Sequence, residues 1–273
     1  MDNWTRVTRS DPCPICEKPD WCMVTGDSSA VMCMRIESDR KIEIAIGTAW
    51  IHQIGEQPTK KRRVVRKSPE NGPTRDWAAL SASYFDQGRN DRYTLSRLIG
   101  VSTFSLAALK CGWTGQCWTF PMLKSPGIVC GILRRFPDGA KLTVKGSKVG
   151  AFVPHRIVLS SPVVICEGPT DVAALLDMGI AGLGRQSCRC DMRPFASWLY
   201  DKDLDVVVLG ENDQKNGLWP GRDGAIHCAN QLSRIMDKPI SAAMPPAGIK
   251  DVREWRREGA ARKHLINDME YIQ

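Results

Sequence analysis

Two short runs of apolar residues, each followed directly by an acidic residue, constrain the fold of this chain most strongly. The runs are PVVIC, which precedes Glu167, and DVVVLG, which precedes Glu211. Neither alternates with polar residues, so each predicts a strand buried on both faces. Helical patterns follow them, and RIVLSS and ISAAMPP predict further strands. The alternation of strands and helices over 156–273 predicts an α/β domain with a parallel sheet flanked by helices.

Acidic residues follow these strands, at the sheet edge where open α/β folds bind ligands. Glu167 ends the first strand, and Glu211 and Asp213 follow the second with one residue between them. Alternating strand geometry directs the latter two side chains to the same side, so all three are candidates for one carboxylate cluster. Asp171 and Asp251 could complete it, although Asp171 also suits a helix cap. Carboxylates predict Mg²⁺ or Mn²⁺, and the alternative for each acid is a solvated loop residue.

Four cysteines near the start of the chain have the spacing of a zinc site. The chain contains 11 cysteines and no signal peptide is evident, so metal ligands or free thiols are favoured over a disulfide framework. A domain over 1–57 has little to bury and would need one structural zinc ion. Asp20 or His52 could replace the third ligand, and buried free cysteines are the alternative to a metal site. The predicted zinc ligands are Cys13, Cys16, Cys22 and Cys33.

Residues 58–155 connect the cysteine domain to the α/β domain and carry much basic character. Residues 58–75 combine prolines with a run of lysines and arginines, which predicts a flexible basic linker. Residues 76–155 predict short helices joined at Gly100, with Leu95 and Leu98 in a core, and then a strand hairpin. The net charge of +8 and the pI near 9.0 favour a polyanionic partner.

Hydropathy predicts no membrane segment. No apolar run approaches the roughly 18 residues that span a bilayer, and the N-terminal residues lack the apolar stretch of a signal peptide. We therefore expect a cytoplasmic protein without a membrane partner.

The acidic motifs resemble a known family. EGPTD at 167–171, END at 211–213, the following GRDGA and KD at 250–251 are similar to the Toprim domain. This domain is shared by DnaG-type primases, type IA and type II topoisomerases and some nucleases. The family usually has aspartate where this chain has Glu211. The cysteine domain resembles the zinc ribbon of phage and plasmid primases, and residues 127–154 resemble the basic subdomain of DnaG-like primases.

The resemblance implies a DNA primase that joins ribonucleotides into short primers on single-stranded DNA. It implies a zinc ribbon at 1–57, a basic primase subdomain at 76–155 and a Toprim catalytic domain at 156–273. Glu167, Glu211 and Asp213 would be catalytic and would hold Mg²⁺ or Mn²⁺. Trp21 would stack on a template base. Contacts to template and nucleoside triphosphates would come from Arg134, Arg135, Lys141, Lys145 and Lys148.

Two other functions fit the same sequence. One is a metal-dependent Toprim nuclease, and the other is a non-catalytic DNA-binding replication accessory of a mobile element. The sequence has no phosphate-binding loop of the Gly-x4-Gly-Lys-Ser/Thr type, so a replicative helicase is expected to be a separate chain.

Overall fold

The computed structural model describes residues 4–44, 47–54, 75–214 and 216–272. It divides into two compact units, Met1–Thr74 and Arg75–Gln273. The predicted linker at 58–75 lies outside the described residues except for Arg75. Each unit is described below by itself.

The first unit is a small antiparallel sheet. Its strands are β1 (Trp4–Arg6), β2 (Met23–Thr25), β3 (Ala30–Cys33), β4 (Lys41–Ile44) and β5 (Gly47–Gln53), arranged in the order β1-β2-β3-β5-β4. The core is minimal, because the buried cluster in the described part of this unit has five residues and three of them are cysteines, the others being Val7 and Val31. So little apolar surface cannot stabilise a unit of this size without a further cross-link.

The second unit begins with three helices and an antiparallel sheet. The helices are α1 (Trp77–Gln87), α2 (Arg89–Ile99) and α3 (Thr103–Ala108). The sheet has the order β6 (Gly112–Trp113), β7 (Trp118–Ser125), β8 (Ile128–Arg135) and β9 (Lys141–Thr143). Helix α2 ends at Gly100 in the left-handed conformation, with φ of 73°. The prediction that Leu98 is a core residue is wrong, because Leu95 and Ile99 turn inward one helical turn apart and leave Leu98 59% exposed.

The C-terminal part of the second unit is the predicted α/β sheet. In chain order it contains β10 (Val163–Glu167), α4 (Pro169–Asp177), β11 (Ala181–Arg185), α5 (Arg193–Leu199), β12 (Val206–Leu209), α6 (Pro220–Met236), β13 (Ser241–Met244), α7 (Val252–Arg257), α8 (Arg262–Asp268) and β14 (Glu270–Ile272). The strand order is β11-β10-β12-β13-β14, with β14 antiparallel to its neighbour and the other pairs parallel. The predicted α/β fold with a helix-flanked parallel sheet is confirmed.

Strand β10 shows why the uninterrupted apolar runs predict this sheet. Val164 and Cys166 belong to one buried cluster, whereas Val163 and Ile165 belong to another on the opposite face. Because both faces are covered, every position of the strand has to be apolar. No helix in the described ranges has the length and apolar character needed to cross a bilayer.

The strand predicted at RIVLSS, residues 156–161, is not formed. Ile157 and Leu159 pack against the core, while Val158 is 84% exposed. The outer edge of β11 is already met at Gly184 by Phe152, through an isolated antiparallel bridge. The alternating pattern therefore reflects a segment that is buried on one side but has no neighbouring strand with which to pair.

Candidate active site and metal centre

The four predicted zinc ligands form a compact group in the first unit. Their sulfur atoms all lie within 4.8 Å of one another. The Sγ atoms of Cys16 and Cys22 are 3.6 Å apart, and those of Cys22 and Cys33 are 3.9 Å apart. Tetrahedral coordination with Zn–S bonds of about 2.3 Å places sulfurs about 3.8 Å apart. The group therefore fits a single zinc ion.

Backbone amides after β3 complete this geometry. The amide of Met34 donates to Cys22 Sγ at 3.5 Å, and the amides of Arg35 and Ile36 donate to Cys33 Sγ at 3.4 and 3.3 Å. Such donors stabilise negative charge on the sulfur, and the thiolate is the form that binds metal. The donor set thus suits thiolate ligands as well as buried thiols.

The two alternative ligands are engaged elsewhere. Asp20 forms an ion pair with Arg35, and His52 Nε2 is 2.9 Å from the carbonyl oxygen of Ile36. The structure therefore places Cys22, rather than either alternative, in the ligand group. Its neighbour Trp21 is 59% exposed and has a left-handed backbone, with φ of 66°. The indole of Trp21 is therefore exposed to solvent beside the cysteine group.

Glu167 stands at the carboxyl end of β10, directly before a sharp turn into α4. Gly168 has a φ of 81° and its amide donates to the carbonyl of Arg185 at 2.7 Å. A Cβ at Gly168 would lie 3.8 Å from Lys141 Nζ. The predicted basic residue Lys141 is therefore close to this turn.

Glu211 and Asp213 follow β12, the parallel neighbour of β10, so these acids leave the same edge of the sheet as Glu167. Asn212 fixes the turn, because its amide donates to the carbonyl of Lys250 at 2.8 Å and its side chain donates to that of Ile249 at 2.8 Å.

The close approach of α6 to the acidic turn explains why residue 221 is a glycine. A Cβ at this position would lie 2.1 Å from the backbone oxygen of Glu211 and 3.0 Å from Asp213 Oδ1. Helix α6 therefore approaches the acidic turn closely only because residue 221 has no side chain.

The carboxylates at this edge interact strongly. Burial raises the pKa of Glu211 to about 7, the negative charges of Glu167 and Asp251 add to the rise, and Lys141 and Lys250 oppose it. Glu211 therefore lies within electrostatic reach of Glu167. Uncompensated negative charge of this kind favours a bound cation.

The acidic group is looser than the cysteine group. Within the described part of the chain, only the four cysteines form a set of three or more such ligands with all atoms within 4.8 Å. Glu167, Glu211 and Asp213 thus supply suitable oxygen donors at one sheet edge, but they would have to draw closer around an ion. The donor chemistry fits Mg²⁺ or Mn²⁺ at these three residues.

Asp171 and Asp251 occupy a different setting. Arg253 Nε donates to Asp171 Oδ1 at 2.9 Å, and Arg253 Nη2 donates to Asp251 Oδ2 at 2.8 Å. Asp251 also caps α7 by accepting from the amide of Glu254 at 2.9 Å. Burial and the charge of Asp251 raise the pKa of Asp171 to about 8, with Arg253 opposing the rise. These two aspartates face a guanidinium, which does not fit the predicted role of magnesium ligands.

The predicted basic residues fall into two groups. Lys141 and Arg135 lie near the acids, and burial together with the charge of Arg253 lowers the pKa of Arg135. Arg135 also lines a cavity of about 510 Å³ together with Lys250 and Arg253. Arg134 donates to the carbonyl of Thr143 at 3.3 Å. Lys145 and Lys148 are exposed.

Sequence reasoning missed three residues that shape this edge. Of the three, only Arg253 could have been suspected from the sequence, because it lies two residues after Asp251. Asn212 lies inside the acidic motif but was not assigned a role. Arg185 is fully buried and donates to the carbonyls of Cys188 and Leu209, the latter just before the acidic turn. Nothing in the sequence around Arg185 indicates this function.

Comparison with known proteins gives the fold a context. No family model matches the sequence, and no curated protein sequence matches it. Among solved structures, a DnaG primase catalytic domain bound to single-stranded DNA superimposes with a TM-score of 0.55 at 13% identity, covering 71% of this chain and 78% of that one. The chain has the fold of the DnaG primase catalytic core.

Two further primase structures agree. The primase of Aquifex aeolicus, comprising zinc-binding and RNA polymerase domains, matches with a TM-score of 0.55 at 13% identity over 72% of this chain and 60% of that one. The catalytic core of the E. coli primase matches with a TM-score of 0.50 at 15% identity over 71% and 79%. The predicted resemblance to DnaG-like primases is confirmed at the level of the fold.

Proposed function

We propose that this chain is a DNA primase that joins ribonucleotides on single-stranded DNA by metal-dependent nucleotidyl transfer. The observation that carries the proposal is the acidic edge between β10 and β12, where Glu167 helps to raise the pKa of Glu211 within a DnaG-type fold. That one structural neighbour is bound to single-stranded DNA supports the proposed template.

Glu167, Glu211 and Asp213 are the proposed catalytic residues and would hold the divalent ion. A bound Mg²⁺ or Mn²⁺ would promote attack of a 3′-hydroxyl on the α-phosphate of a nucleoside triphosphate and would offset charge on the leaving pyrophosphate. Asn212 keeps the turn in place through its bonds to the loop at 245–250. Lys141 and Arg135 would contact phosphates near the acids, with Arg134, Lys145 and Lys148 as further template contacts.

The cysteine unit would contact template bases. A structural zinc ion would hold the loop that carries Trp21, and the exposed indole could stack on a base. We also propose that a separate chain supplies the helicase, and that the protein works in the cytoplasm.

Primer synthesis tests the proposal directly. Single-stranded templates of varied sequence are incubated with labelled ribonucleotides and Mg²⁺ or Mn²⁺, and the products are separated by length. We expect short RNA products from the wild type and a loss of roughly 100-fold or more in Glu167→Gln, because the substitution removes a proposed ligand. The matched control is Glu258→Gln, since Glu258 is an exposed glutamate with 59% of its side chain accessible.

The same experiment separates the alternatives. Cleavage of DNA with no joining of ribonucleotides on any template would favour the Toprim nuclease. Binding of single-stranded DNA without either activity, unchanged in Asp213→Ala, would favour a non-catalytic replication accessory.

A further inference from the structure

Arg253 bridges two buried aspartates beside the proposed catalytic acids. It contacts Asp171 through Nε and Asp251 through Nη2, using two different nitrogens of one guanidinium. The aspartate side chains are only 2% and 6% exposed, whereas that of Arg253 is 27% exposed. A cation between two acidic side chains buried this deeply stabilises their ionised forms, and the chain supplies its own cation in Arg253.

The bridge is built from elements far apart in the sequence. Asp171 lies in the first turn of α4, and α4 packs against α7, which begins directly after Asp251. The amide of Glu254 holds Asp251 Oδ1, so Asp251 Oδ2 is turned toward Arg253. Neither aspartate can swing toward an ion at Glu211 without breaking this arrangement.

A guanidinium and a divalent ion compete for the same negative charge at such a pair. Mg²⁺ binds carboxylate oxygens at about 2.1 Å with octahedral geometry, so an ion between the two aspartates would compete with Arg253 for Asp171 Oδ1 and Asp251 Oδ2. The guanidinium also cannot be deprotonated to make way. Lys141 and Lys250 partly offset the negative charge around Glu211. Arg135 adds positive charge near Asp171.

We propose that Arg253 takes the place of a second divalent ion, so that the acidic edge binds a single ion at Glu167, Glu211 and Asp213. Asp171 and Asp251 are then positioning residues that hold Arg253 rather than metal ligands. The inference rests on the proposed function, because it assumes that those three acids bind an ion.

Manganese titration of the full, zinc-loaded chain tests this inference without any activity measurement. Free Mn²⁺ is followed by electron paramagnetic resonance, and zinc protects the cysteine group because thiolates prefer it to Mn²⁺. We expect one tightly bound Mn²⁺ in the wild type and none in Glu211→Gln. In Arg253→Gln we expect two, because removal of the guanidinium leaves the aspartate pair without a cation.

Matched variants make the assignment specific. Arg257→Gln, a change of an exposed arginine on the same helix, should keep one ion. Adding Asp251→Asn to Arg253→Gln should return the number from two to one. Arg253→Lys keeps the positive charge and should also bind one ion.

Each outcome decides the inference. Two ions in the wild type, or only one ion in a folded Arg253→Gln, would overturn it and leave the proposed function intact, whereas no ion in either the wild type or Arg253→Gln would overturn both. One ion in the wild type that persists in Glu211→Gln would also overturn it, because the ion would then lie elsewhere. If Arg253→Gln fails to fold, the same titration of Arg253→Met carries the test, with two ions expected and a single ion contradicting the inference.

Discussion

Replacing Glu211 by glutamine should stabilise the zinc-loaded protein at alkaline pH in the absence of Mg²⁺ and Mn²⁺. The pKa of Glu211 is raised from 4.5 to about 7 by burial and by Glu167 and Asp251. The folded state therefore holds the Glu211 proton more tightly than the unfolded state does, and stability falls as the pH rises from about 4.5 to about 7. Glutamine cannot ionise, so the variant escapes this loss.

The size of the effect follows from the pKa. One pKa unit corresponds to about 1.4 kcal/mol, so the full penalty for ionising Glu211 is about 3 kcal/mol. Most of it develops between pH 5 and pH 8. We expect the Glu211→Gln variant to be more stable than the wild type by about 3 kcal/mol at pH 8 and by less than about 1 kcal/mol at pH 5.

Hydrogen exchange measures this difference in the relevant unit. Peptides from β10 and β12 report the free energy of opening the parallel sheet, after correction for the intrinsic pH dependence of exchange. Saturating Mg²⁺ should raise the free energy of opening in the wild type at pH 8 and leave the variant nearly unchanged, because the ion neutralises Glu211.

Equal stability of wild type and variant at both pH values, or a variant that is less stable at pH 8, would refute the reasoning. Such a result would mean that Glu211 is not held at a crowded acidic edge.

Three other substitutions have defined outcomes. Cys33→Ser should abolish stoichiometric zinc binding and unfold the first unit, measured by zinc content and by exchange in β3 and β5, because the small core depends on the metal. Gly221→Ala should destabilise the second unit by about 2 kcal/mol and weaken Mn²⁺ binding, since a Cβ would lie 2.1 Å from the backbone oxygen of Glu211. Arg185→Leu should cost about 2 kcal/mol in urea unfolding, because it removes the guanidinium donor to the buried carbonyl of Leu209 and one of the donors to the carbonyl of Cys188.

The parallel sheet could be predicted because its signal is local. Uninterrupted apolar runs before Glu167 and Glu211 reflect strands covered on both faces, and the carboxyl ends of adjacent parallel strands must meet at one edge. The spacing of the four cysteines was equally informative, because it predicts a zinc site without knowledge of the surrounding fold. Residues 156–161 show the limit of this approach, because a strand also needs a free partner and the edge of β11 is met by Phe152.

The contacts of Asp171 and Asp251 could not be predicted from local sequence patterns. Asp171 and Asp251 were predicted as magnesium ligands from their positions after strands, but Arg253 pairs with both. That contact exists because α4 packs against α7, and residues 171 and 253 are brought together only by the tertiary fold. Arg185 is a similar case, because its role depends on the carbonyls that the fold leaves around it.

Anomalous diffraction from crystals containing Mn²⁺ tests the central claim most directly. The account predicts one strong peak bounded by the carboxylates of Glu167, Glu211 and Asp213, with Arg253 still between Asp171 and Asp251. A peak centred on the two aspartates with Arg253 displaced, or no peak at the sheet edge, would contradict it.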